Sequence, residues 1–146
     1  MGRQAVEHLD LEALEVAVRQ RVLQLAGRAV EQRLNADTSD ERGSQIPCCC
    51  GGEMHFLGRR SKQFHTVLGP LRLERAYCYC AACGHGCCPR DQHLRIENTS
   101  LSPALTRMTG TVGALVSFQE GSELLKELAR VVVDAKQVER TAGSLG

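Results

Sequence analysis

Apolar residues return every three or four positions along the first part of the chain, at Leu11, Leu14, Val18, Val22, Leu25 and Ala29. That spacing lines one face of an α-helix. A second line, Leu9, Val16, Leu23 and Val30, broadens the apolar surface. Residues 5–34 hold no proline and one internal glycine, Gly27, so the pattern predicts a single long helix, capped by Asp10 where the periodicity begins. Two readings stand for this helix. It packs on its own domain, or it joins two copies into a homodimer through residues 5–34. The stretch NADTSDERGSQIP, residues 35–47, is polar and turn-rich and predicts a linker.

The period then shortens to two. Residues 53–60 and 62–68 form two short strand-like runs, and Gly69-Pro70 marks a turn. Leu71, Leu73, Arg75, Tyr77 and Tyr79 alternate with Arg72, Glu74, Ala76 and Cys78, as in a half-buried strand. Past Pro89, which closes the segment, the helical period returns at residue 100. Ser102-Pro103 is a cap followed by proline at the first helical position, and Leu101, Leu105, Met108, Val112 and Leu115 make a stripe. Ser117-x-x-Glu120 fits a capping box for a second helix, with Gly121, Leu125 and Leu128 at a spacing of three to four. Val131, Val132 and Val133 interrupt it. Asp134-x-x-Gln137 caps a third helix, with Ala135, Val138, Ala142 and Leu145 facing inward and Lys136, Gln137 and Arg140 outward.

Between the two helical regions lie all eight cysteines, from Cys48 to Cys88. Four of them form two glycine-followed pairs, Cys48-x-Cys50-Gly and Cys80-x-x-Cys83-Gly, separated by the predicted hairpin. A thiolate is a good zinc ligand, and four close a tetrahedral structural site. Glycine after the second cysteine lets the backbone turn around the metal at little steric cost. A hairpin joining two such knuckles is a zinc ribbon, with Cys48, Cys50, Cys80 and Cys83 as ligands. An iron–sulfur cluster uses the same ligand type, but the hairpin favours the ribbon. Cys49, Cys78, Cys87 and Cys88 are the surplus: alternative ligands, or small buried thiols, the reading favoured for Cys78 and Cys87. His85 is read as a surface residue, and Asp91 as a local cap. With all four ligand positions filled, the zinc is structural and keeps no open position for catalysis.

The N-terminus reads MGRQAVEHLDLEALE, with acidic residues and no long apolar core, so no secretory signal is expected there, and Val6 argues against N-myristoylation of Gly2. No 18-residue apolar run exists, so no membrane span is expected. A reducing bacterial cytoplasm is the expected location, where clustered cysteines bind metal more often than they pair. Net charge is only +1, yet residues 47–100 carry seven basic against four acidic groups, while residues 1–46 carry six against eight and residues 101–146 five of each. The cysteine-rich middle is the basic part, before four thiolates and a zinc ion add about −2 to it. Arg59, Arg60 and Arg75 on its strands are therefore candidate phosphate contacts. Lys136, Gln137 and Arg140 on the last helix are candidate base-reading residues of a helix-turn-helix-like unit, for which a plain three-helix bundle is the alternative.

The sequence from Cys48 onward resembles the N-terminal region of insertion-sequence transposases of the ISKra type. The resemblance is carried by PCCCGGEMHFLGRR, LGPLRLERAYCYCAACGHGCCPRD and the tail from LSPALTRMTG to VERTAGSLG. It spans about two thirds of the chain. It departs from the family pattern at Cys49, where proline is common, and at Cys78 and Cys87, where aromatic residues are common. The resemblance implies a zinc ribbon and a helical DNA-binding region placed before an RNase-H-like catalytic domain. No acidic triad carries over onto residues of this sequence, which on this resemblance ends about where that domain would begin.

The expected fold is therefore α+β, in four parts: helix 1–34, linker 35–47, zinc ribbon 48–99 and helix-turn-helix-like segment 100–146. The expected function is recognition of insertion-sequence ends, the terminal inverted repeats, without strand cleavage or joining. The rival functions are a zinc-ribbon protein-interaction adaptor and a thiol or metal sensor.

Overall fold

A computed structural model describes residues 8–41 and 46–145. The first residues of the expected helix (5–7), the middle of the expected linker (42–45), the side chain of Leu145 and Gly146 lie outside the described residues. Helix α1 runs from Leu11 to Ala36, and a short 3-10 turn follows at Ser39–Glu41. Four strands come next, β1 (Ile46–Pro47), β2 (Glu53–Thr66), β3 (Gly69–Tyr79) and β4 (Gly86–Cys87). The chain ends in α2 (Pro89–His93), α3 (Pro103–Leu115), α4 (Phe118–Ala129) and α5 (Ala135–Leu145). This is a mixed helix-and-sheet fold, with one antiparallel sheet in the order β1-β2-β3-β4.

The caps follow the sequence. Asp10 Oδ1 accepts from the Ala13 amide at 3.1 Å, Ser102 Oγ from Leu105, and Ser117 with Glu120 forms a reciprocal capping box. Asp134 and Gln137 exchange the same pair of bonds at the start of α5.

Helix α1 meets the sheet through the side opposite its main apolar line; of the second line only Leu23 is half-buried, and Leu9, Val16 and Val30 are exposed. Leu23, Gly27 and Leu34 turn toward the hairpin, while Leu11, Leu14, Val18, Val22 and Leu25 stay exposed. Gly27 explains the choice. A Cβ there would sit 3.2 Å from the Leu68 carbonyl oxygen and 3.3 Å from Leu71 Cδ2, so only the glycine face lets the helix come this close.

The two short runs of residues 53–68 are one continuous strand, and the turn lies at Val67-Leu68, with Gly69 already paired to Thr66. A bulge between Phe56 and Gly58 shifts the register, so the buried face is not the same along the hairpin. Toward the turn, Phe64, Leu71 and Leu73 bury with Ile96, Leu34 and Leu94. Toward the cysteines, Met54, Cys78 and Cys80 bury with Cys48, Ile46 and Cys87. The simple alternation expected for residues 71–79 thus gives way at Arg75. Ala76 and Cys78 are buried, and Arg75, Tyr77 and Tyr79 are half-buried.

Side chains close most of the outer edge of β3. The amides of Arg72, Glu74 and Ala76 donate to Glu31, Asn35 and Asp40 at 2.8, 2.9 and 2.7 Å, and the Asn35 amide returns a bond to the Arg72 carbonyl. Such cover protects an edge strand from pairing with another chain.

The third core belongs to the last three helices: Leu101, Leu105, Leu125, Val131, Val133 and Val138, joined by Val67 from the hairpin turn. The segment around Leu101 also pairs with β2, since the His65 amide donates to the Ser100 carbonyl and the Ser102 amide to the His65 carbonyl. Leu115 and Leu128, which continue the helical spacing, are exposed. Gln137, expected on the outer face of α5, is half-buried, because the reciprocal cap with Asp134 draws it back and its Nε2 donates to Ser100 Oγ at 3.2 Å.

Candidate metal centre and basic groove

The two cysteine pairs sit at the root of the hairpin, one before β2 and one after β3. Each lies in a tight turn: the Gly51 amide donates to the Cys48 carbonyl, and the Gly84 amide to the Cys80 carbonyl. Gly51 and Gly84 have φ of 84° and 75°, values that suit glycine. The turns bring the sulfurs of Cys48, Cys50, Cys80 and Cys83 within 4.8 Å of one another. The shortest pairs are Cys48–Cys83 at 3.5 Å and Cys50–Cys80 at 3.6 Å. Four sulfurs around one ion at a zinc–sulfur bond of about 2.3 Å would be spaced about 3.8 Å apart, so the four lie close enough to hold a metal ion.

The surroundings suit thiolates. The Cys83 and Ala82 amides donate to the Cys80 sulfur, and the Cys83 contact leads in lowering the Cys80 pKa to about 7. The His85 amide donates to Cys83 and lowers its pKa. The neighbouring sulfurs of Cys48 and Cys50 outweigh that bond and push the thiol up to about 12. Four sulfurs this close cannot all carry charge without a cation between them. Gly52 forms part of the cradle, since a Cβ there would lie 3.3 Å from the sulfurs of Cys50 and Cys80. His85 is exposed, and its carbonyl accepts from the Cys80 amide.

The surplus cysteines lie outside the cluster. Cys78 is buried and paired in register with Cys87, whose sulfur is 3.8 Å from Met54 Sδ. Burial pushes the thiols of Cys78, Cys87 and Cys88 up. Cys49 is exposed, 4.0 Å from the Cys48 sulfur.

The sequence-predicted basic residues do not come together. Arg59 is held by Asp40 at 3.2 Å and Glu41 at 2.8 Å. Arg75 is held by Asp91 at 2.7 Å, and Lys62 reaches the same carboxylate at 3.5 Å. Asp91, expected as a local cap, is buried as the counter-ion of these two cations. Arg60 stacks on Tyr77, its guanidinium carbon 3.6 Å from the ring centre. Lys136 and Arg140 project from α5 into solvent.

A different basic feature emerges at the other end of the hairpin. A groove between α3, α5 and the segment around Ser100 is lined by Lys62, Arg95, Arg107 and Arg140, with no carboxylate among its lining residues. Arg95, Arg107 and Arg140 are exposed, and among the described residues no carboxylate lies within 4.0 Å of their guanidinium groups. Arg95 and Arg107 carry no spacing signal. They are isolated in the sequence, and only the fold places them beside Arg140.

Compared with known proteins, the chain matches no family model and no curated protein.

Proposed function

We propose that this chain is a zinc-organised DNA-binding module of the ISKra-type transposase kind that its motifs resemble. In this reading it docks on insertion-sequence ends and neither cuts nor joins strands. The observation that carries the reading is the groove where Arg95, Arg107 and Arg140, none facing a carboxylate, meet beside Lys62, which Asp91 holds. Clustered cations facing solvent are the electrostatic footprint of a phosphate-binding surface. The helices add support: α4 and α5 are joined by a five-residue turn, 130–134, and α5 carries Lys136 outward and Arg140 into the groove, in the manner of a recognition helix. Zinc is the metal this donor set favours, because four closely spaced thiolates suit a closed tetrahedral site.

The reading also moves the phosphate contacts. Arg59 and Arg75 are neutralised within the chain, so Arg95, Arg107 and Arg140 take over the role, and Arg60 keeps only the part of its guanidinium that the Tyr77 stack leaves open. A salt titration of fluorescence anisotropy on terminal-repeat and scrambled duplexes tests this. Arg107→Ala and Arg140→Ala are each expected to weaken binding and flatten the plot of log affinity against log salt by about one unit, whereas Arg59→Ala changes the slope little. If neither groove variant moves the slope, or if wild-type protein binds no duplex at low salt, the reading fails.

A further inference from the structure

Helix α1 carries apolar residues on two opposite sides; the hairpin covers one side around Leu23, Gly27 and Leu34, and nothing among the described residues covers the other. Leu11, Val18, Val22 and Leu25 keep 65%, 51%, 57% and 64% of their surface exposed, and Leu14 keeps 46%. Together they leave on the order of 400 Å² of apolar surface along one face of the helix, a patch of the size that on a soluble protein often marks a functional contact. We infer that this bare face of α1 is the interface of an antiparallel homodimer, in which two copies of the helix lie side by side about a two-fold axis.

Three features select a second copy as the occupant. The first is shape. Leu11 and Val22, Leu14 and Leu25, and Val18 and Ala29 are each separated by eleven residues. An eleven-residue repeat keeps an apolar stripe nearly parallel to the helix axis, so two such helices can stay in contact along their length. The second is size. Two copies pressed together would remove about 1,000 Å² from water, the scale at which a specific interface becomes stable.

The third is charge, and it fixes the direction. Asp10, Glu12 and Glu15 lie at the start of the helix and Arg28 and Arg33 toward its end, with Arg19 and Arg21 in the middle and Glu31 the one acidic residue near the end. A parallel pair would set like ends against each other. An antiparallel pair sets opposite ends together and lets the helix dipoles oppose. Asp10 and Arg28 are eighteen residues apart, about five full turns, so they flank the stripe on the same side. With Leu14 opposite the partner's Leu25, Asp10 comes beside the partner's Arg28, twice by symmetry.

The contacts each helix makes with its own domain stay intact, because Gly27 and Leu34 face the hairpin on the other side. Arg19 also donates to the Leu128 carbonyl at 2.7 Å, which ties the projecting half of α1 to the end of α4. The order across the assembly is then domain, helix, helix, domain.

Sedimentation of the metal-loaded chain, in reductant and over a wide concentration range, is the test. A species of twice the 16.0 kDa chain mass is expected. Val18→Glu, at an exposed position of the helix, is expected to raise the dimer dissociation constant at least about a hundredfold by placing two facing carboxylates in the interface, with an unchanged circular dichroism spectrum. Arg28→Glu is expected to weaken the dimer about tenfold. A chain that is monomeric at every concentration overturns the proposal and leaves the face to some other partner. A dimer that survives Val18→Glu places the interface elsewhere. A dimer strengthened by Arg28→Glu would mean the helices run parallel, and the antiparallel arrangement would fall. DNA affinity enters none of these readouts.

Discussion

Removing the metal should unfold one end of the hairpin and leave the other. The end near the cysteines buries one large apolar side chain, Met54, with Cys48, Cys78 and Cys80. Burial of a methionine is worth about 1.5–3 kcal/mol, and thiols add less each. A structural zinc site contributes about 10–16 kcal/mol of apparent binding energy, so a zinc ion held by the four cysteines would dominate the stability of this end. The turn end buries Phe64, Leu71, Leu73 and Ile96, worth about 6–12 kcal/mol together, and it is pinned to the helices by Val67 and by both backbone bonds of His65. Chelation in the presence of a reductant, followed by amide hydrogen exchange, separates the two. Protection should vanish around the pairs His55–Tyr79 and Phe56–Cys78, and persist around Lys62–Leu73 and Phe64–Leu71. Cys80→Ser or Cys83→Ser should reproduce the pattern, and Cys87→Ser should not. If chelation leaves the knuckle amides protected, the four sulfurs hold no stabilising metal. If both ends lose protection together, the hairpin is one cooperative unit and the division argued from its two cores is wrong.

Other outcomes follow from single contacts. Asp40→Ala should cost about 2–4 kcal/mol in urea unfolding, because it strips the buried Ala76 amide of its acceptor and Arg59 of a partner, while Asp40→Asn keeps the amide bond and costs about half as much; equal costs would refute this account. Thr109→Val should raise stability by about 1 kcal/mol, since the fully buried hydroxyl finds no hydrogen-bond partner and valine has the same shape; a destabilised variant would show that the hydroxyl is satisfied. Chelation should change DNA affinity less than about tenfold, because the proposed groove is built from α3, α5 and the Ser100 segment; complete loss of binding would place the contact at the knuckle.

The parts of this fold that announce themselves in sequence are those made by neighbours along the chain. Asp10, Ser102, Ser117 and Asp134 cap helices through bonds spanning three residues, and the glycines after Cys50 and Cys83 make turns that need positive φ. The four-cysteine cluster was legible for the same reason, as each pair is local and a hairpin is the simplest way to join them. What the sequence hides is what depends on a distant cover. The switch of buried face along β3 comes from two different covers at its two ends and a bulge in the partner strand, and no period of two can express it. Leu115 and Leu128 continue helical stripes but fall where no element covers them. Gly27 decides which side of α1 meets the sheet, yet a lone glycine in a helix carries no such meaning until Leu68 and Leu71 are placed against it.

Charge is the sharpest case. Counting residues assigns the positive character to the cysteine-rich middle of the chain, residues 47–100, and that count is correct. The structure shows that Arg59, Lys62, Arg72, Arg75 and Arg90 all face carboxylates of this same chain, at Asp40, Glu41, Asp91, Glu74 and Asp37. Paired in this way, they project little field beyond a Debye length of about 10 Å. Of the guanidinium groups left without a carboxylate partner, three from different elements meet at one groove, Arg95 from the segment after α2, Arg107 from α3 and Arg140 from α5. A net charge of +1 is therefore a poor guide to what this surface attracts. A polyanion responds to the local potential within a few ångströms of its phosphates, and that potential is set by which cations have been left without a counter-ion.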